Sequence, residues 1–323
     1  SIFILYRNYK QSQYSRISGF IFGTVYNITY QGSDNLKDSI EHQMRLFDLS
    51  LSTYNDSSVI SKINENISYE TDSLFRKCFN KAMQVSEETD GAFDITVAPL
   101  VNAWGFGFKE NKFPNAEQID VLLENVGYKK VRLVGNKIEK DNENIMLDCS
   151  SIAKGYAVDV VADYLASKGI KNFMVDIGGE VLVKGKNAKN DLWKIGVNTP
   201  IDDSLSVDNS IQAIINLTDK AVATSGNYRN YYYKDGVKYA HTINPKTGYP
   251  VIHSILSATV VASDCMTADA LATSFMVMGV EKAKEYCAKH TEIAAYLIYN
   301  DEKGNMKTYL TEGMKQYGLR EIE

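Results

Sequence analysis

An aspartate and a threonine lie four residues apart where a predicted strand gives way to a helix. Residues 263–273 form this junction, and Asp269 and Thr273 fall on one face of the helix, one turn apart. A carboxylate and a hydroxyl in this arrangement suit a hard cation such as Mg²⁺, which prefers oxygen ligands and often keeps a phosphate as another. The alternative is a helix start with a solvated aspartate and a threonine that bonds back to a carbonyl. This segment alone leaves both interpretations open.

A second segment has the composition of a phosphate site. Residues 147–159 leave a strand, pass through small residues and enter a helix that carries Lys154 near its start. Backbone amides at a helix start, together with an ammonium group, suit a phosphate. The glycine-rich pattern of a P-loop is absent, so the segment by itself is a weak indication.

A histidine stands just before a tight turn. His241 ends a predicted strand, and residues 244–248 read Asn-Pro-Lys-Thr-Gly, a strong turn pattern. A histidine at a strand end suits acid–base chemistry or a phosphate contact. The alternative is a histidine that is bonded to the backbone of the turn.

These segments must be positioned by an α+β fold of mostly antiparallel sheets with packed helices. Adjacent strands joined by short turns favour antiparallel pairing, and the helices carry apolar residues at helical spacing. Residues 1–20 lack clear periodicity and are predicted to be a weakly ordered lead-in, followed by a single large domain over residues 21–323. The predicted helices cover residues 35–51, 72–88, 116–126, 152–167, 267–278 and 281–289.

Composition excludes several classes of protein. The 323 residues carry 35 Lys and Arg against 40 Asp and Glu, a formal net charge of -5 that argues against a nucleic-acid-binding protein. The hydrophobic fraction of 44% excludes intrinsic disorder. No stretch reaches the roughly 20 apolar residues of a membrane-spanning helix. The 4 cysteines form no CxxC pair, which disfavours a zinc or redox centre and favours free buried thiols over disulfides.

Taken in order, the motifs resemble the FAD:protein FMN transferase family, also called the ApbE or thiamine-biosynthesis lipoprotein family. The resemblance extends from Phe22 to about Gly279, and many ordered motifs at suitable separations make coincidence improbable. It rests on residues 22–24, 51–55, 89–96, 99–107, 148–159, 176–180, 224–226, 241–250 and 263–273.

The resemblance implies an ApbE-like fold, related to the T-fold, and a Mg²⁺-dependent reaction. FMN would pass from FAD, the substrate, to a Thr or Ser hydroxyl of an acceptor protein, with release of AMP. The acceptors would be flavoproteins such as subunits of electron-transfer complexes. Export to the periplasm or the outer face of the cytoplasmic membrane is also implied, with a lipid anchor and a leader already removed from the chain.

The family's functional residues map onto matching positions of this sequence. Asp269 and Thr273 correspond to metal ligands, completed by the backbone carbonyl of Ser151. His241 corresponds to the histidine implicated in transfer, with Asp269 as the other catalytic residue. The flavin and adenine pocket maps onto Phe22, Tyr54, Ala92, Phe93, Asp94, Asp148, Lys154 and His241.

Two other functions use the same pocket. A Mg²⁺-dependent FAD pyrophosphatase would use water in place of the protein hydroxyl and yield FMN and AMP. A non-catalytic FAD-binding protein would hold FAD and release no AMP. Release of AMP without an acceptor separates the first from the transferase, and retention of intact FAD identifies the second.

Overall fold

The computed structural model describes residues 13–106, 113–198, 211–226, 231–234, 237–240, 242–251 and 255–321. His241 lies outside these residues. None of the described helices is long and apolar enough to cross a membrane.

Several helices begin at polar capping residues that the sequence displays. Asp72 accepts a hydrogen bond from the Phe75 amide, and Asp264 accepts one from the Thr267 amide. Within the described residues the α-helices are α1 (Lys37–Leu51), α2 (Val59–Asn64), α3 (Ser73–Glu88), α4 (Ala98–Ala103), α5 (Ala116–Leu123), α6 (Ser150–Ser167), α7 (Cys265–Met278), α8 (Val280–Lys289) and α9 (Glu312–Gln316).

The strands are β1 (Tyr14–Ile21), β2 (Thr24–Gln31), β3 (Val131–Val134), β4 (Lys137–Lys140), β5 (Phe173–Ile177), β6 (Glu180–Lys184), β7 (Trp193–Asn198), β8 (Ile211–Leu217), β9 (Lys220–Gly226), β10 (Tyr231–Lys234), β11 (Val237–Ala240), β12 (Ile255–Ala262), β13 (Ala294–Asn300), β14 (Met306–Leu310) and β15 (Arg320–Glu321). The central sheet has the order β1-β2-β5-β6-β9-β12-β13-β14. All of its pairings are antiparallel. The predicted α+β fold with antiparallel sheets is confirmed.

Each face of the central sheet has its own hydrophobic core. Val175 and Ile177 of β5 belong to the larger core, which also contains apolar residues of α1, α3, α6 and α7. Val181 and Val183 of β6 belong to a second core, shared with β7 and β8 of a three-stranded sheet of order β15-β8-β7. The central sheet is therefore a middle layer, and its helical side carries the polar residues described below.

The structure differs from the sequence prediction over residues 14–20, which belong to an ordered edge strand rather than to a weakly ordered lead-in. β1 pairs along its full length with β2. Its strand pattern is weak because Gly19 interrupts it, and the glycine is needed: a Cβ atom there would lie 2.6 Å from the Tyr26 ring. The missing side chain makes room for a buried tyrosine.

Candidate active site

Helices α6 and α7 touch at Gly155, which has no side chain to separate them. A Cβ atom at this position would collide with the backbone carbonyl oxygen of Cys265 and lie 2.7 Å from the Cβ atom of Asp269. Because the helices approach so closely, the Gly155 amide donates a hydrogen bond of 2.9 Å to Oδ2 of Asp269. The site is therefore built on a helix contact that requires glycine.

The Asp269 carboxylate lies in the core beside an ion pair between Lys154 and Glu180. Asp269 is 4% exposed, and burial raises the pKa of its carboxyl group, although Lys154 and the Gly155 amide act in the opposite direction. Nζ of Lys154 lies 2.8 Å from Oε1 of Glu180. Burial lowers the pKa of Lys154, but Glu180 and Asp269 outweigh this and the net pKa is raised. Two carboxylates thus share one ammonium group.

The hydroxyl of Thr273 lies one turn along α7 from Asp269, as the spacing predicts, and it is anchored to the sheet. Its Oγ1 is 3.1 Å from Oγ of Ser225 on β9, in a hydrogen bond that either hydroxyl can donate. Ser225 faces the helices because it shares a face with Ala221 and Ala223, which belong to the larger core. This bond fixes the position of the Thr273 oxygen.

The donors of this region fit Mg²⁺. Asp269 supplies a carboxylate and Thr273 a hydroxyl, both of the oxygen type that Mg²⁺ prefers. In a regular helix the Gly155 amide would donate to the carbonyl of Ser151. Because Asp269 accepts from the same amide, the Ser151 carbonyl oxygen keeps capacity to bind a cation. When Asp269 and Glu180 are both ionised, they and the one ammonium leave one negative charge that a cation would balance. Among the described residues no three Asp, Glu, His or Cys side chains could hold a metal together, so hydroxyl, carbonyl and substrate oxygens would complete the shell.

Asp94 joins its own loop to the segment that begins at Tyr128. Its Oδ1 accepts hydrogen bonds from the amide and the hydroxyl of Thr96, and its Oδ2 accepts one of 2.7 Å from the Tyr128 amide. Burial raises the pKa of Asp94, and the bonds from Thr96 and Tyr128 partly offset this rise. With both oxygens engaged, the side chain shapes the loop, and its contact with a ligand would be limited.

The neighbouring segments are joined by a backbone bond. The Asp148 amide donates to the carbonyl of Ile95 at 2.7 Å, and Oδ1 of Asp148 accepts from the Ser150 amide at the start of α6. Ala92 and Phe93 are 8% and 3% exposed. The structure thus brings residues 92–95 next to the start of the helix that carries Lys154.

Phe22 and Tyr54 occupy different surroundings. Phe22 lies in the turn between β1 and β2 with a φ of 52°, and its ring centroid is 5.6 Å from that of Phe47. Phe47 in turn contacts Tyr156 of α6 at 5.4 Å. Tyr54 lies in the loop after α1 and is 80% exposed. The Tyr54 ring therefore lies at the surface, whereas Phe22 connects the β1–β2 turn to α6 through Phe47.

The turn that follows His241 is anchored to the segment around residue 100. Trp104 Nε1 donates a 2.8 Å hydrogen bond to the Gly248 carbonyl, and Lys246 forms an ion pair with Asp90. Gly248 has a φ of 76°, and a Cβ atom there would lie 2.5 Å from Ile119. The turn at residues 244–248 and the segment around Trp104, which are far apart in the sequence, are therefore held together.

Sequence reasoning gave no role to Glu180 or Asp159. Glu180 follows a Gly-Gly turn and directly precedes three apolar strand residues, so its charge at the start of a buried strand was a signal in the sequence. Asp159 lies one turn after Gly155, and its carboxylate accepts hydrogen bonds from the amides of Cys265 and Met266 at the start of α7. Its partners lie more than 100 residues away, which the local pattern does not reveal.

Comparison with known proteins identifies the family. The ApbE family model matches residues 22–297. A Vibrio cholerae protein named FAD:protein FMN transferase is 38% identical over 319 residues, 95% of this chain and 94% of that protein. A protein of the same name from Haemophilus influenzae is 36% identical over 312 residues, 91% of this chain and 89% of that one. The solved structure of the flavin transferase ApbE from Vibrio cholerae superimposes with a TM-score of 0.84 at 35% identity, covering 94% of this chain and 99% of that chain. The chain belongs to the ApbE family.

Proposed function

We propose that this protein is a Mg²⁺-dependent FAD:protein FMN transferase that modifies a Thr or Ser hydroxyl of an acceptor protein and releases AMP. The observation that carries the proposal is the contact between α6 and α7, which holds Asp269 near the Lys154 ammonium, with Thr273 one helix turn further along α7. The relatives named above are flavin transferases by name. An oxygen-rich cation site next to a phosphate-binding helix start suits the pyrophosphate of FAD.

The reaction exchanges one phosphorus–oxygen bond for another. The acceptor hydroxyl oxygen bonds to the phosphorus of the FMN half of FAD. The bond from that phosphorus to the bridging oxygen breaks, and AMP leaves with the bridging oxygen and its electron pair. The hydroxyl proton passes to a base, for which His241 and a nearby carboxylate are the candidates. Their roles stay predictions.

The protein's task in such a reaction is positioning and charge neutralisation. Lys154 would place its ammonium on a phosphate oxygen, and the amides at the start of α6 would add their partial positive charge. Asp269, Thr273 and the Ser151 carbonyl would hold Mg²⁺. Bound there, Mg²⁺ supplies charge stabilisation for the pyrophosphate and for the departing AMP phosphate.

The flavin and the adenine need a pocket beside the phosphate site. Phe22, Tyr54, Ala92, Phe93, Asp94 and Asp148 are its candidates by resemblance. Support comes from the backbone bond between Ile95 and Asp148, which joins two of these segments beside α6. Export and a lipid anchor likewise stay predictions of the resemblance.

The intact mass of a flavin-acceptor domain tests the proposal after incubation with this protein, FAD and Mg²⁺. A gain of one FMN that requires both the metal and Asp269 supports the transferase and the metal site together. Asp269→Ala is the test variant, and Asp163→Ala is its matched control, because Asp163 lies on the surface of α6 with 75% of its side chain exposed. Full transfer by Asp269→Ala at low Mg²⁺ would overturn the metal assignment.

Two further measurements separate the other functions. Release of AMP without modification of the acceptor indicates the pyrophosphatase, and retention of intact FAD indicates the binding protein. His241→Ala should slow transfer while leaving FAD affinity unchanged. Loss of FAD binding in this variant would make His241 a pocket residue instead.

A further inference from the structure

Glu180 is a buried charged residue with half of its carboxylate unused. Its side chain is 4% exposed, and Oε1 accepts the 2.8 Å bond from Lys154. Oε2 is buried and has no hydrogen-bond partner. The Lys154 side chain is 40% exposed, so a ligand can reach it from solvent while Glu180 holds its ammonium from the buried side.

The turn before Glu180 is built around this carboxylate. Gly178 and Gly179 have φ values of 67° and 99°, and Oδ1 of Asp176 accepts a hydrogen bond from the Gly179 amide. A Cβ atom at Gly178 would lie 2.9 Å from the Thr24 side chain and 3.5 Å from Oε2 of Glu180. The glycines thus let β5 and β6 connect while Glu180 points toward the helices.

Stability alone gives little reason for this arrangement. Burial raises the pKa of Glu180 to about 7, with Lys154 lowering it and Asp269 raising it, so the ionised carboxylate is held at a cost in free energy. Replacing a buried ion pair by apolar side chains is often neutral or stabilising. Since stability does not explain the Lys–Glu pair at this position, we look for its purpose in the function of Lys154.

Lysine carries its charge on a flexible four-carbon chain, and fixing that chain costs conformational entropy. A partner that fixes the ammonium in advance removes this cost from ligand binding. Glu180 is suited to that task because it is anchored at a strand start and reaches Lys154 from the buried side.

We propose that Glu180 is a positioning residue that holds the Lys154 ammonium in place for the pyrophosphate of FAD. The inference rests on the proposed function, because it assigns Lys154 to a phosphate oxygen. It predicts that Glu180 acts on FAD through Lys154 and has little effect on FAD when Lys154 is absent.

A double-mutant cycle tests this prediction with Lys154→Met, Glu180→Gln and the double variant. The readouts are the Kd for FAD in the presence of Mg²⁺, and kcat and KM for transfer. Glu281→Gln is the matched control, because Glu281 pairs with Lys284 at 2.9 Å on the surface of α8. We expect Glu180→Gln alone to weaken FAD binding or transfer by about tenfold, as for loss of one charge-assisted contact. In the Lys154→Met background the same change should alter either quantity by less than about twofold.

Two results would overturn the proposal. Glu180→Gln could match the wild type in both Kd and kcat/KM, or it could weaken FAD binding equally with and without Lys154. Thermal unfolding of each variant shows whether the fold is kept. Should Glu180→Gln fail to fold, Glu180→Asp replaces it, and we expect a partial loss that again requires Lys154. The FAD Kd cycle needs no acceptor, so it still decides the role of Glu180 if no transfer is detected.

Discussion

Two buried aspartates form hydrogen bonds between α6 and α7, one from each helix, and they have different roles. Asp159 reaches from α6 to the start of α7, where its oxygens accept bonds of 2.7 and 2.8 Å from the Cys265 and Met266 amides. Asp269 reaches from α7 back to α6 and accepts one bond of 2.9 Å from Gly155. Both carboxylates are nearly inaccessible, at 7% and 4% exposure. Burial therefore does not distinguish them.

The two aspartates differ in how many further bonds their carboxylates can accept. Each oxygen of Asp159 receives a helix-start amide, so the side chain acts as a second cap for α7 alongside Asp264. Asp269 has one backbone donor among the described residues and lies near the Lys154–Glu180 pair. A carboxylate that the backbone saturates holds the fold together, and one that the backbone only orients is available to a ligand.

The largest expected effect comes from Asp269→Asn. The amide oxygen can still accept the Gly155 bond, so the packing of α6 on α7 should be retained while the charge that would bind Mg²⁺ is lost. We expect transfer to fall about 1,000-fold or more, as when a main source of transition-state charge stabilisation is removed. Single-turnover transfer and thermal unfolding measure the two effects separately. Retained transfer would show that Asp269 is structural, like Asp159.

Gly155→Ala tests the helix contact that both aspartates cross. The new Cβ atom would collide with the Cys265 carbonyl, and backbone cannot move aside as a flexible side chain can. We expect a loss of about 3 kcal/mol in the free energy of unfolding, measured by urea denaturation. Gly313→Ala in α9 is the control, since its Cβ atom would lie 3.2 Å from the Cβ atom of Ala294 on β13 and meets no backbone closer than that. Equal losses in the two variants would show that the α6–α7 contact can relax.

Asp159→Ala should separate stability from activity. The Cys265 and Met266 amides would lose their shared acceptor in a buried place, and we expect a loss of about 2 kcal/mol in the free energy of unfolding. The rate of transfer per folded molecule should change by less than about threefold, because Asp264 still caps α7. Active-site titration with FAD supplies the folded fraction. A loss of transfer as large as that of Asp269→Asn would remove the distinction between the two aspartates.

The fold and one half of the site follow from local sequence patterns. The spacing of Asp269 and Thr273 places them one turn apart on α7, and Asp264 caps the same helix, because these are properties of a single segment. The strand at residues 14–20 was missed because Gly19 serves the packing of Tyr26, a residue on the neighbouring strand. A local pattern predicts an element well when the interactions that determine the element lie within it.

The other half of the site consists of pairings between distant segments. Lys154 and Glu180, Asp159 and Cys265, and Ser225 and Thr273 meet only when the sheet and the helices assemble. A sequence shows that a buried strand opens with a charge, as at Glu180, but not which cation receives it. Asp94, which the resemblance places in the pocket, uses one oxygen within its own loop and the other on the distant Tyr128 amide.

The smallest expected effect concerns pH and follows from the burial of Asp159, which raises its pKa to about 7. Between about pH 4 and 7 the folded protein keeps a proton that the unfolded chain has released, so the free energy of unfolding falls as pH rises through this window. The pKa values of Glu180, Asp94 and Asp269 are raised as well, and the wild-type curve alone therefore mixes several groups. Alanine at 159 cannot titrate, so the stability lost in Asp159→Ala should be larger at pH 5 than at pH 8, by on the order of 1 kcal/mol. Urea denaturation of both proteins at the two pH values gives this difference directly. A loss that grows with pH would mean that the α7 amides stabilise the Asp159 carboxylate more than burial penalises it. Asp159 would then be a stronger cap of α7 than we infer, and Asp269 would still be the carboxylate that is available to a ligand.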